Sequence, residues 1–417
     1  MIAKEIFDNV YGFIGVNELE LEIIDHPLFQ RLKNIKQLGM AYTVFPGAVH
    51  TRFSHSIGVM HLVDKIGTKL IDDSLITGDD LSKLRLAALL HDIGHYPLSH
   101  TIETPMLKKY DDSHHEILGQ KVLNNFSISD ILNLNYDSKE IGLIFNGQSL
   151  NQTFNQLIHS ELDVDRMDYL LRDSYNTGVH YGQFDYEQIL RKISVDDNHL
   201  LCVDRKAIHA VENYITSRYY MYSQVYSHKT IGSFDQLVCS AYIEMENEGL
   251  VPDYETIQSD EEFFNDYDDH YLITLLRVSA KQKANQYLQQ IAKKILRREH
   301  LNLAYEIKDL TDFSEERVLP KYTLTKHIMD NFDTQDFGAI PKEWIFFDAP
   351  DVRFSKLTPY FDIERINDTI DEMSEAIYIQ LEDGTTKPIV SLNTSIIKRI
   401  APLRLKTIRV FTLEQYK

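Results

Sequence analysis

The feature that most constrains the fold is an apolar segment, LSKLRLAALL (81–90), that runs directly into the polar sequence HDIGH. Its leucines and alanines recur near a period of about 3.6 residues, which is typical of a helix with a buried face. His91 and Asp92 cannot share one helix face, but at a helix end both can converge on one cation where the backbone turns, as Gly94 permits. The pattern therefore predicts a buried helix whose end carries metal-ligating side chains.

The histidines are unevenly distributed along the chain. Ten of the 17 histidines lie between residues 50 and 180. Histidine is the common nitrogen ligand of divalent transition metals and the side chain best suited to proton transfer near neutral pH. His91 could be a core histidine and Asp92 a helix-capping residue, which would explain each of them separately. That interpretation explains less well why His95 and His100 follow so closely. The chemistry is therefore expected in this third of the chain.

Two further segments carry residues of the same kind. RFSHSIG (52–58) precedes an amphipathic helix, and DVDRMDYLLRD (163–173) aligns Asp165, Tyr169 and Asp173 on one helical stripe. Taken alone, each segment also reads as an ordinary charged helix face. Taken with the HDIGH sequence, they predict two imidazoles and two carboxylates, a set that suits Mn, Fe, Zn or Mg and leaves room to activate water against a phosphoester. The predicted metal ligands are His55, His91, Asp92 and Asp165.

The charge balance limits the partners. The chain has 43 Lys and Arg against 63 Asp and Glu, a formal net charge of −20, which opposes non-specific attraction to DNA, RNA or anionic membranes. We therefore expect no stable nucleic-acid binding, and an anionic substrate must meet a local basic pocket. The candidates that would supply the positive charge of this pocket are Arg52, Arg166, Arg218 and Lys229. The alternative for each of them is a salt bridge on the protein surface.

Cysteine content and hydropathy indicate the compartment. The two cysteines, Cys202 and Cys239, are far apart and flanked by apolar residues, so neither a disulfide framework nor a cysteine-based zinc site is predicted. The N-terminus MIAKEIFDNV lacks the pattern of a signal peptide, and no apolar run approaches the length of a membrane span. A cytoplasmic location is the expectation.

The chain divides into two regions by local pattern. Residues 1–300 are predicted to form a mainly helical catalytic domain that contains a short β-hairpin from Ser194 to Val203. After residue 300, IFFDAP, AIYIQLEDGTTKPIV and LKTIRVFTL are β-branched or aromatic runs, which predict a smaller α+β region over 301–417. The acidic stretch from Asp260 to Asp269 is expected to be solvated surface.

Six segments together resemble the HD superfamily, and more narrowly its deoxynucleoside triphosphate (dNTP) triphosphohydrolases, which include a vertebrate enzyme with SAM and HD domains and bacterial relatives. They are QRLKNIKQLG (30–39), VFPGAVHTRFSHSIGV (44–59), LLHDIGHYPLSH (89–100), HHE (114–116), DVDRMDYLLRD (163–173) and YSHK (226–229). Their order and spacing agree over roughly residues 1–235. The C-terminal region is similar mainly through LKTIRVF.

The resemblance implies a reaction and the residues that perform it. In the family, the bond between the α-phosphorus and the 5′ oxygen is broken, which releases a deoxynucleoside and intact triphosphate. The metal ligands would be the four residues predicted above, with Mg also accompanying the nucleotide. Arg52 and His95 would contact the α-phosphate, while His100 and His115 would be the acid/base pair, with His115 donating to the leaving oxygen. Glu103 would join this catalytic group at a position where the vertebrate relative has Asp.

The resemblance also implies how the substrate is recognised. Gln37 and Leu38 would meet the sugar, and Leu38 and Tyr169 would crowd the 2′ position so that a ribose hydroxyl is disfavoured. Asp173 would bind the 3′ hydroxyl. The phosphates or the base would be contacted by Arg166, Arg218 and Tyr226.

A further implication of the resemblance is activation within an oligomer. Relatives form homotetramers and bind an activating guanine nucleotide, dGTP or GTP, at an interface that includes the N-terminal segment. The matching residues here are Lys4, Asp25, Gln30, Lys33, His228 and Lys229. Because Lys33 replaces an Arg and Gln188 stands where the relative has a second activator-contacting Arg, activation is a hypothesis that rests on a partial match.

Two alternatives stay open on the sequence alone. One is an HD phosphohydrolase of another nucleotide, such as a cyclic dinucleotide, an alarmone or a nucleic acid end, because the metal set does not select the substrate. The other is a catalytically silent sensor of dNTPs. Neither the native metal, the preferred base nor the oligomer size follows from the sequence.

Overall fold

The structure, a computed structural model, describes residues 2–312, 341–355 and 375–413. Most of these residues are helical, and the strands form an N-terminal hairpin and two small sheets. This confirms the predicted fold class, a mainly α bundle with a short β-hairpin followed by a smaller α+β region. The proposed boundary at residue 300 lies between the last helix of the bundle and the first long strand.

The helices and strands have the following bounds. The helices are α1 Glu18–Asp25, α2 Pro27–Gln30, α3 Arg52–Asp72, α4 Gly78–Leu90, α5 His100–Lys109, α6 His115–Asn125, α7 Ile128–Leu132, α8 Ser138–Phe145, α9 Gln152–Ile158, α10 Val164–Thr177, α11 Tyr186–Lys192, α12 Ile208–Met221, α13 Lys229–Asn247, α14 Tyr254–Ser259, α15 Glu261–Asp266, α16 Asp269–Ser279, α17 Gln286–Leu296 and α18 Ile397–Ile400. The strands are β1 Lys4–Asp8, β2 Gly12–Val16, β3 Ile193–Val195, β4 Leu201–Asp204, β5 Asn302–Asp312, β6 Ile345–Asp348, β7 Asp351–Arg353, β8 Tyr378–Gln380, β9 Thr386–Pro388 and β10 Leu403–Thr412.

Helix α4 lies at the centre of the bundle. It begins with a capping box in which the Thr77 side chain accepts from the backbone N–H of Asp80, and the Asp80 side chain accepts from that of Thr77. Every residue from Leu84 to Leu90 is buried. The helix is therefore enclosed on all sides near its C-terminal end, rather than on the single face that its period predicts. This burial puts the HDIGH turn inside the protein.

Two glycines allow the close approaches that build the site. A Cβ on Gly58 in α3 would lie 2.0 Å from an Asp168 carboxylate oxygen, so only glycine lets α10 come this near to α3. A Cβ on Gly94 would lie 2.2 Å from the backbone oxygen of His115. Gly94 does not have a positive φ, so its role is to admit α6 against the HDIGH turn rather than to permit an unusual turn conformation.

The predicted hairpin forms, but its partners were not predictable. β3 and β4 pair antiparallel, with Ile193 opposite Val203. β4 also pairs parallel with β8, and β8 pairs antiparallel with β9, so the hairpin is half of a four-stranded sheet. The second sheet has the order β5, β10, β6, and β7 also pairs with β10. Strands β6, β8, β9 and most of β10 fall within the runs predicted for the C-terminal region, whereas β5 and β7 lie outside them.

The acidic stretch from Asp260 to Asp269 is not solvated throughout, and that expectation is wrong at its end. Asp268 and Asp269 are buried. Asp269 accepts from the backbone N–H of Leu98 at 2.7 Å and pairs with Lys36 at 3.3 Å. The Asp269 side chain thus connects the start of α16 to the loop that follows the HDIGH turn.

Among the described ranges, no helix combines the length with the apolar character needed to cross a lipid bilayer.

Candidate active site

The four predicted metal ligands come together from three helices. His55 lies in the first turn of α3, His91 and Asp92 follow α4, and Asp165 lies in the first turn of α10. His55 Nε2 is 2.9 Å from Asp165 Oδ1 and 3.7 Å from Asp92 Oδ2. His91 Nε2 is 3.4 Å from Asp92 Oδ1 and 3.7 Å from Asp165 Oδ1. His55, His91 and Asp92 therefore each offer a ligand atom within 4.8 Å of the others, and Asp165 Oδ1 borders this group beside the two imidazoles.

This arrangement fits a single divalent cation. Among the described residues, the Nε2 atoms of His55 and His91 are buried and form no hydrogen bond of good geometry, although each lies within ion-pair distance of Asp165. A buried polar atom without a hydrogen bond costs about 1–3 kcal/mol. Two ligand atoms that each lie about 2.1 Å from one cation are roughly 3.0–3.4 Å from each other. The distances between ligand atoms in the cluster are close to this range. A cation would satisfy both orphaned nitrogens at once. Two imidazoles and two carboxylates are a donor set that several divalent metals accept.

The imidazoles are held with the correct nitrogen facing inward. His55 Nδ1 donates to Asp168 Oδ2 at 2.7 Å, and His91 Nδ1 donates to the backbone oxygen of Ala88 at 2.7 Å. With a proton on Nδ1, the lone pair of each Nε2 is directed at the cluster. The sequence analysis assigned no role to Asp168, although its position three residues after Asp165 puts both carboxylates on neighbouring turns of α10.

Asp168 is itself held by a buried ion pair. Arg172 Nε donates to Asp168 Oδ2 at 2.8 Å, and Arg172 Nη1 donates to Asp8 at the end of β1 at 2.7 Å. All three side chains are buried. Removing one partner from such a network leaves a buried charge uncompensated, which costs about 3–5 kcal/mol. The N-terminal hairpin is thereby connected to the orientation of His55, a predicted metal ligand.

Charges in the cluster determine its protonation. Burial alone would raise the pKa of Asp92, but Arg52 and the imidazoles of His91 and His95 hold that pKa well below its usual range. Burial alone would lower the pKa of His55, but the carboxylates of Asp165 and Asp168 raise it to about 10. Without a cation, the cluster therefore retains a proton that metal binding would displace.

Glu103 joins the two residues predicted as the acid/base pair. Its Oε2 accepts from His100 Nδ1 at 2.7 Å, while its Oε1 accepts from His115 Nδ1 at 2.6 Å and from the backbone N–H of His115 at 2.7 Å. Burial opposes its ionisation, but the two imidazoles hold the pKa of Glu103 well below its usual range. The carboxylate thus fixes both rings and leaves both Nε2 atoms available.

His95 lies between this pair and the metal cluster. Its ring stacks on that of His115 with centroids 3.9 Å apart, and its Nε2 is 3.1 Å from Asp92 Oδ1. Burial, assisted by the nearby Arg52, holds the pKa of His95 well below its usual value. His95 is therefore a neutral imidazole at neutral pH, and it packs between the cluster and His115.

Arg52 connects the metal cluster to a cavity. Its Nη1 donates to Asp92 Oδ2 at 2.7 Å, and its Nε donates to the hydroxyl of Ser99 at 2.8 Å. Ser99 has a φ of 53°, which is uncommon for a residue other than glycine and marks a constrained turn. The guanidinium is buried, so its charge acts in a region of low dielectric constant.

The cavity beside Arg52 has a volume of about 240 Å³. It brings together five of the residues predicted to read the substrate: Gln37, Leu38, Tyr169, Asp173 and Tyr226. Other lining residues are Arg52, Ser99, His100, Tyr222 and Asp235. The cavity therefore adjoins both the metal cluster and the imidazole of His100.

Asp173 is held rigidly at the cavity wall. The Tyr226 hydroxyl donates to its Oδ2 at 2.7 Å, and His50 Nε2 lies 2.7 Å from its Oδ1. Gln37 Oε1 is buried and has no hydrogen-bond partner, so it is available to accept from a ligand. Sequence reasoning missed His50, although it lies inside the VFPGAVHTRF segment that carries the resemblance.

Arg166 and Arg218 do not line this cavity. Arg166 forms hydrogen bonds with the Asp163 carboxylate and the Ser160 backbone oxygen. Arg218 donates to the backbone oxygen of Phe354 at 2.8 Å and lies 3.3 Å from Glu161. Both guanidinium groups make internal contacts in this structure, rather than the surface salt bridges that were the alternative for them.

The six residues matched to an activator site lie on several elements. Gln30 accepts a hydrogen bond from Lys33 at 2.6 Å, and both line a cavity of about 640 Å³ between α2 and α16. The other four do not line it: Lys4 is on β1, Asp25 ends α1, and His228 and Lys229 begin α13. Only two of the six are thus shown in one cavity.

Asp235 was missed altogether by sequence reasoning. It lies on α13 and lines the 240 Å³ cavity, where its Oδ1 accepts from the Thr101 hydroxyl at 2.8 Å. Burial raises the pKa of Asp235 to about 7. Among the described residues, no Lys or Arg forms an ion pair with it. A single Asp in an apolar helix does not indicate from the sequence alone that its side chain is buried beside a cavity.

Replacing Asp235 by asparagine is expected to stabilise the protein in alkaline buffer. The folded-state pKa of about 7 exceeds the ordinary value of 3.8, so the folded state binds the proton more tightly and the wild type loses stability as pH rises through this window. Asparagine cannot ionise, and we expect a gain on the order of 2–4 kcal/mol at pH 8 that disappears near pH 4. Urea unfolding between these pH values measures it.

The control for this prediction is the exposed Asp111, whose change to asparagine should shift stability equally at every pH. If Asp235→Asn also gave a pH-independent difference, the interpretation of Asp235 as a buried, protonated acid would be wrong.

Comparison with known proteins gives two family matches. Residues 52–173 match the HD domain, and residues 184–351 match the HD associated region. The first match begins at Arg52 and ends at Asp173, so it contains all four residues of the metal cluster.

Relatives are found among curated proteins and solved structures. An uncharacterized protein of Methanocaldococcus jannaschii is 38% identical over 280 residues, which is 66% of this chain and 55% of that protein. A deoxynucleoside triphosphate triphosphohydrolase SAMHD1 homolog of Dictyostelium discoideum is 33% identical over 279 residues, 63% of this chain and 53% of that protein. The chain thus spans about half the length of these curated relatives. A crystal structure of a hypothetical protein from Aquifex aeolicus is 30% identical and covers 99% of this chain and 96% of its own, with a TM-score of 0.74.

Proposed function

This chain belongs to the HD-domain family of phosphohydrolases, and from that premise we propose that it hydrolyses dNTPs to a deoxynucleoside and inorganic triphosphate. The observation that carries the proposal is the position of Arg52, which contacts Asp92 of the metal cluster and also lines the cavity that holds Gln37 and Asp173. A nucleotide sugar in that cavity would have its 5′ end directed at the cluster. The relative from Dictyostelium, named for this activity, supports the choice of substrate.

The two buried nitrogens without partners support the metal requirement. A divalent cation held by His55, His91, Asp92 and Asp165 would supply Lewis-acid chemistry, which activates water and offsets phosphate charge. Mn, Fe, Zn and Mg are the candidates, since the donor set is compatible with each.

The residues around the cluster account for the proton transfers. Arg52 offsets charge at the α-phosphate, and His100 accepts the proton of the water that attacks the α-phosphorus. As the bond to the 5′ oxygen breaks, His115 Nε2 donates a proton to that oxygen, which is a poor leaving group without it. Burial lowers the pKa of His115, so its protonated form is a stronger acid than an ordinary imidazolium. The Glu103 carboxylate stabilises whichever ring is charged.

The cavity walls account for preference for a deoxyribose. Asp173, fixed by Tyr226 and His50, would accept from the 3′ hydroxyl. Leu38 and Tyr169 would crowd the 2′ position, so that a ribose hydroxyl would be desolvated without a partner. We therefore expect hydrolysis of dNTPs in preference to ribonucleotides.

Product analysis tests the proposal. The purified full chain, loaded with Mn or Mg, is given each of the four dNTPs, and the products are separated by ion-exchange chromatography. We expect equal amounts of deoxynucleoside and inorganic triphosphate. Release of only pyrophosphate or monophosphate would contradict the proposal, and turnover confined to a cyclic dinucleotide, an alarmone or a nucleic acid end would favour the alternative.

The same assay extends to regulation. We propose that dGTP or GTP activates the enzyme in a homotetramer, which the pairing of Gln30 with Lys33 beside a 640 Å³ cavity supports. Each dNTP is assayed alone and with added dGTP or GTP, and the mass in solution is measured in parallel. If neither nucleotide changed turnover of another dNTP, the activation proposal would fail while the hydrolytic one stood. A cytoplasmic location remains a prediction from sequence.

A further inference from the structure

Asp235 is a partly buried acid that the proposed reaction does not use. It lies in the second turn of α13 and lines the 240 Å³ cavity. Its Oδ1 accepts from the Thr101 hydroxyl at 2.8 Å, and its Oδ2 forms no hydrogen bond with any described residue. One oxygen of the carboxyl group is therefore fixed, while the other is available to a ligand.

The cavity wall beside Asp235 is apolar. Ala41 and Ile231 pack together in one cluster, and Leu38 packs against that cluster. Ile231 lies four residues before Asp235, so the two side chains are on the same face of α13. All four residues line the cavity. Asp235 is therefore the polar group of an otherwise apolar stretch of wall, an arrangement that orients a ligand and selects among similar ones.

Under the proposed function, on which this inference rests, the rest of the cavity is taken by the phosphates and the sugar. The phosphates would lie toward Arg52 and the metal ligands of the HD cluster, and the sugar would lie beside Leu38 and Asp173. Leu38 also packs against the cluster that contains Ile231, so the wall beyond the sugar is the one that carries Asp235. We propose that the unpaired oxygen of Asp235 forms a hydrogen bond with the edge of the nucleotide base and thereby determines which bases the enzyme prefers.

The protonation of Asp235 decides which base edge it can bind. Burial is the main cause of its pKa of about 7; Asp348 on β6 adds to the shift, while the Thr101 hydroxyl and His100 on α5 oppose it. Cys239, one turn further along α13, stays neutral because burial raises the pKa of its thiol to about 12. A protonated carboxyl group donates to a carbonyl oxygen of a base, whereas a carboxylate accepts from an exocyclic amine. Acid pH should therefore favour keto bases, and alkaline pH should favour amino bases.

Competition between dUTP and dCTP tests this assignment. The two substrates differ only along one edge of the base, where uracil presents a carbonyl oxygen and cytosine presents an amine. Both are supplied together to the metal-loaded full chain, and the two deoxynucleosides released are measured from about pH 5.5 to about pH 8.5. The product ratio reports the ratio of the two kcat/KM values, so titration of groups that act on both substrates equally cancels. In wild type we expect preference for dCTP over dUTP to rise about tenfold as pH increases through 7, because one substrate gains a hydrogen bond that the other loses.

Three variants identify the titrating group. Asp235→Asn keeps the shape of the side chain but cannot ionise, so its product ratio should stay constant within about twofold. Thr101→Val, which removes the hydroxyl that fixes Oδ1, should reduce the rise to less than about threefold and serves as a second test if Asp235→Asn does not fold. Asp111→Asn, at an exposed position, should match wild type.

Two results would overturn the assignment of Asp235 and leave the dNTPase proposal standing. One is a wild-type product ratio that does not change with pH, and the other is a ratio that changes equally in Asp235→Asn. Turnover of neither dUTP nor dCTP by wild type would contradict the proposed function and the role of Asp235 together.

Discussion

Replacing His91 by alanine is expected to empty the HD cluster of metal and to lower dNTP turnover by about a thousandfold or more. His91 Nε2 is one of the two buried Nε2 atoms of the cluster that form no hydrogen bond with any described residue. Metal ions contribute several kcal/mol to catalysis, and each 1.4 kcal/mol is about tenfold in rate. The fold should persist, because the lost ring makes a single hydrogen bond, to Ala88.

Two measurements on the same sample check this result: metal content by elemental analysis and triphosphate release. The matched control is His209→Ala, at an exposed position of α12 that lines neither cavity, and it should retain the HD metal and full turnover. If His91→Ala lost its metal but kept its turnover, the metal would have no part in the reaction. If it kept both, the assignment of the cluster as the catalytic metal site would be wrong.

Replacing Glu103 by glutamine is expected to lower kcat by about 100- to 10,000-fold, the range that positioned acid/base groups contribute. The carboxylate accepts from both His100 and His115. A glutamine amide has one accepting oxygen and one donating nitrogen, so one of the two rings must turn or change tautomer. Metal content and KM should change little, because the nearest metal ligand is separated from Glu103 by these rings.

Kinetics with a conservative variant distinguish positioning from mere structural damage. Glu103→Asp, which keeps the charge on a shorter side chain, should recover part of the lost kcat. Glu262→Gln, at an exposed position of α15, should match wild type. A Glu103→Gln enzyme with wild-type kcat, or a loss that appeared only in KM, would mean that Glu103 does not position the acid/base pair.

Much of the metal cluster was predictable from the sequence by itself. His55, His91, Asp92 and Asp165 lie in short segments that each have an ordinary structural explanation, but whose combination predicts a metal site. Helical periodicity is a local property. The mainly helical class, the hairpin and the strands after residue 300 follow from equally local patterns. These features depend on neighbours within a few residues, which is the range that a sequence reveals directly.

The contacts that orient the residues of the site became known only from the tertiary structure. Asp168 orients His55, His50 holds Asp173, and one Glu103 carboxylate joins His100 to His115. Apart from the contact of Glu103 with His100 inside α5, each of these contacts joins segments whose approach depends on packing, as at Gly58 and Gly94, where no Cβ would fit.

The same cause explains what the local patterns missed. The burial of Asp269, the internal pairing of Arg218, and the parallel pairing of β4 with β8 all depend on segments remote in sequence. Residue types alone predicted a metal site in this chain. The protonation of the histidines and the burial of the carboxylates depend on how the helices pack against one another. The reason is that the pKa and orientation of a side chain are set by its neighbours in space.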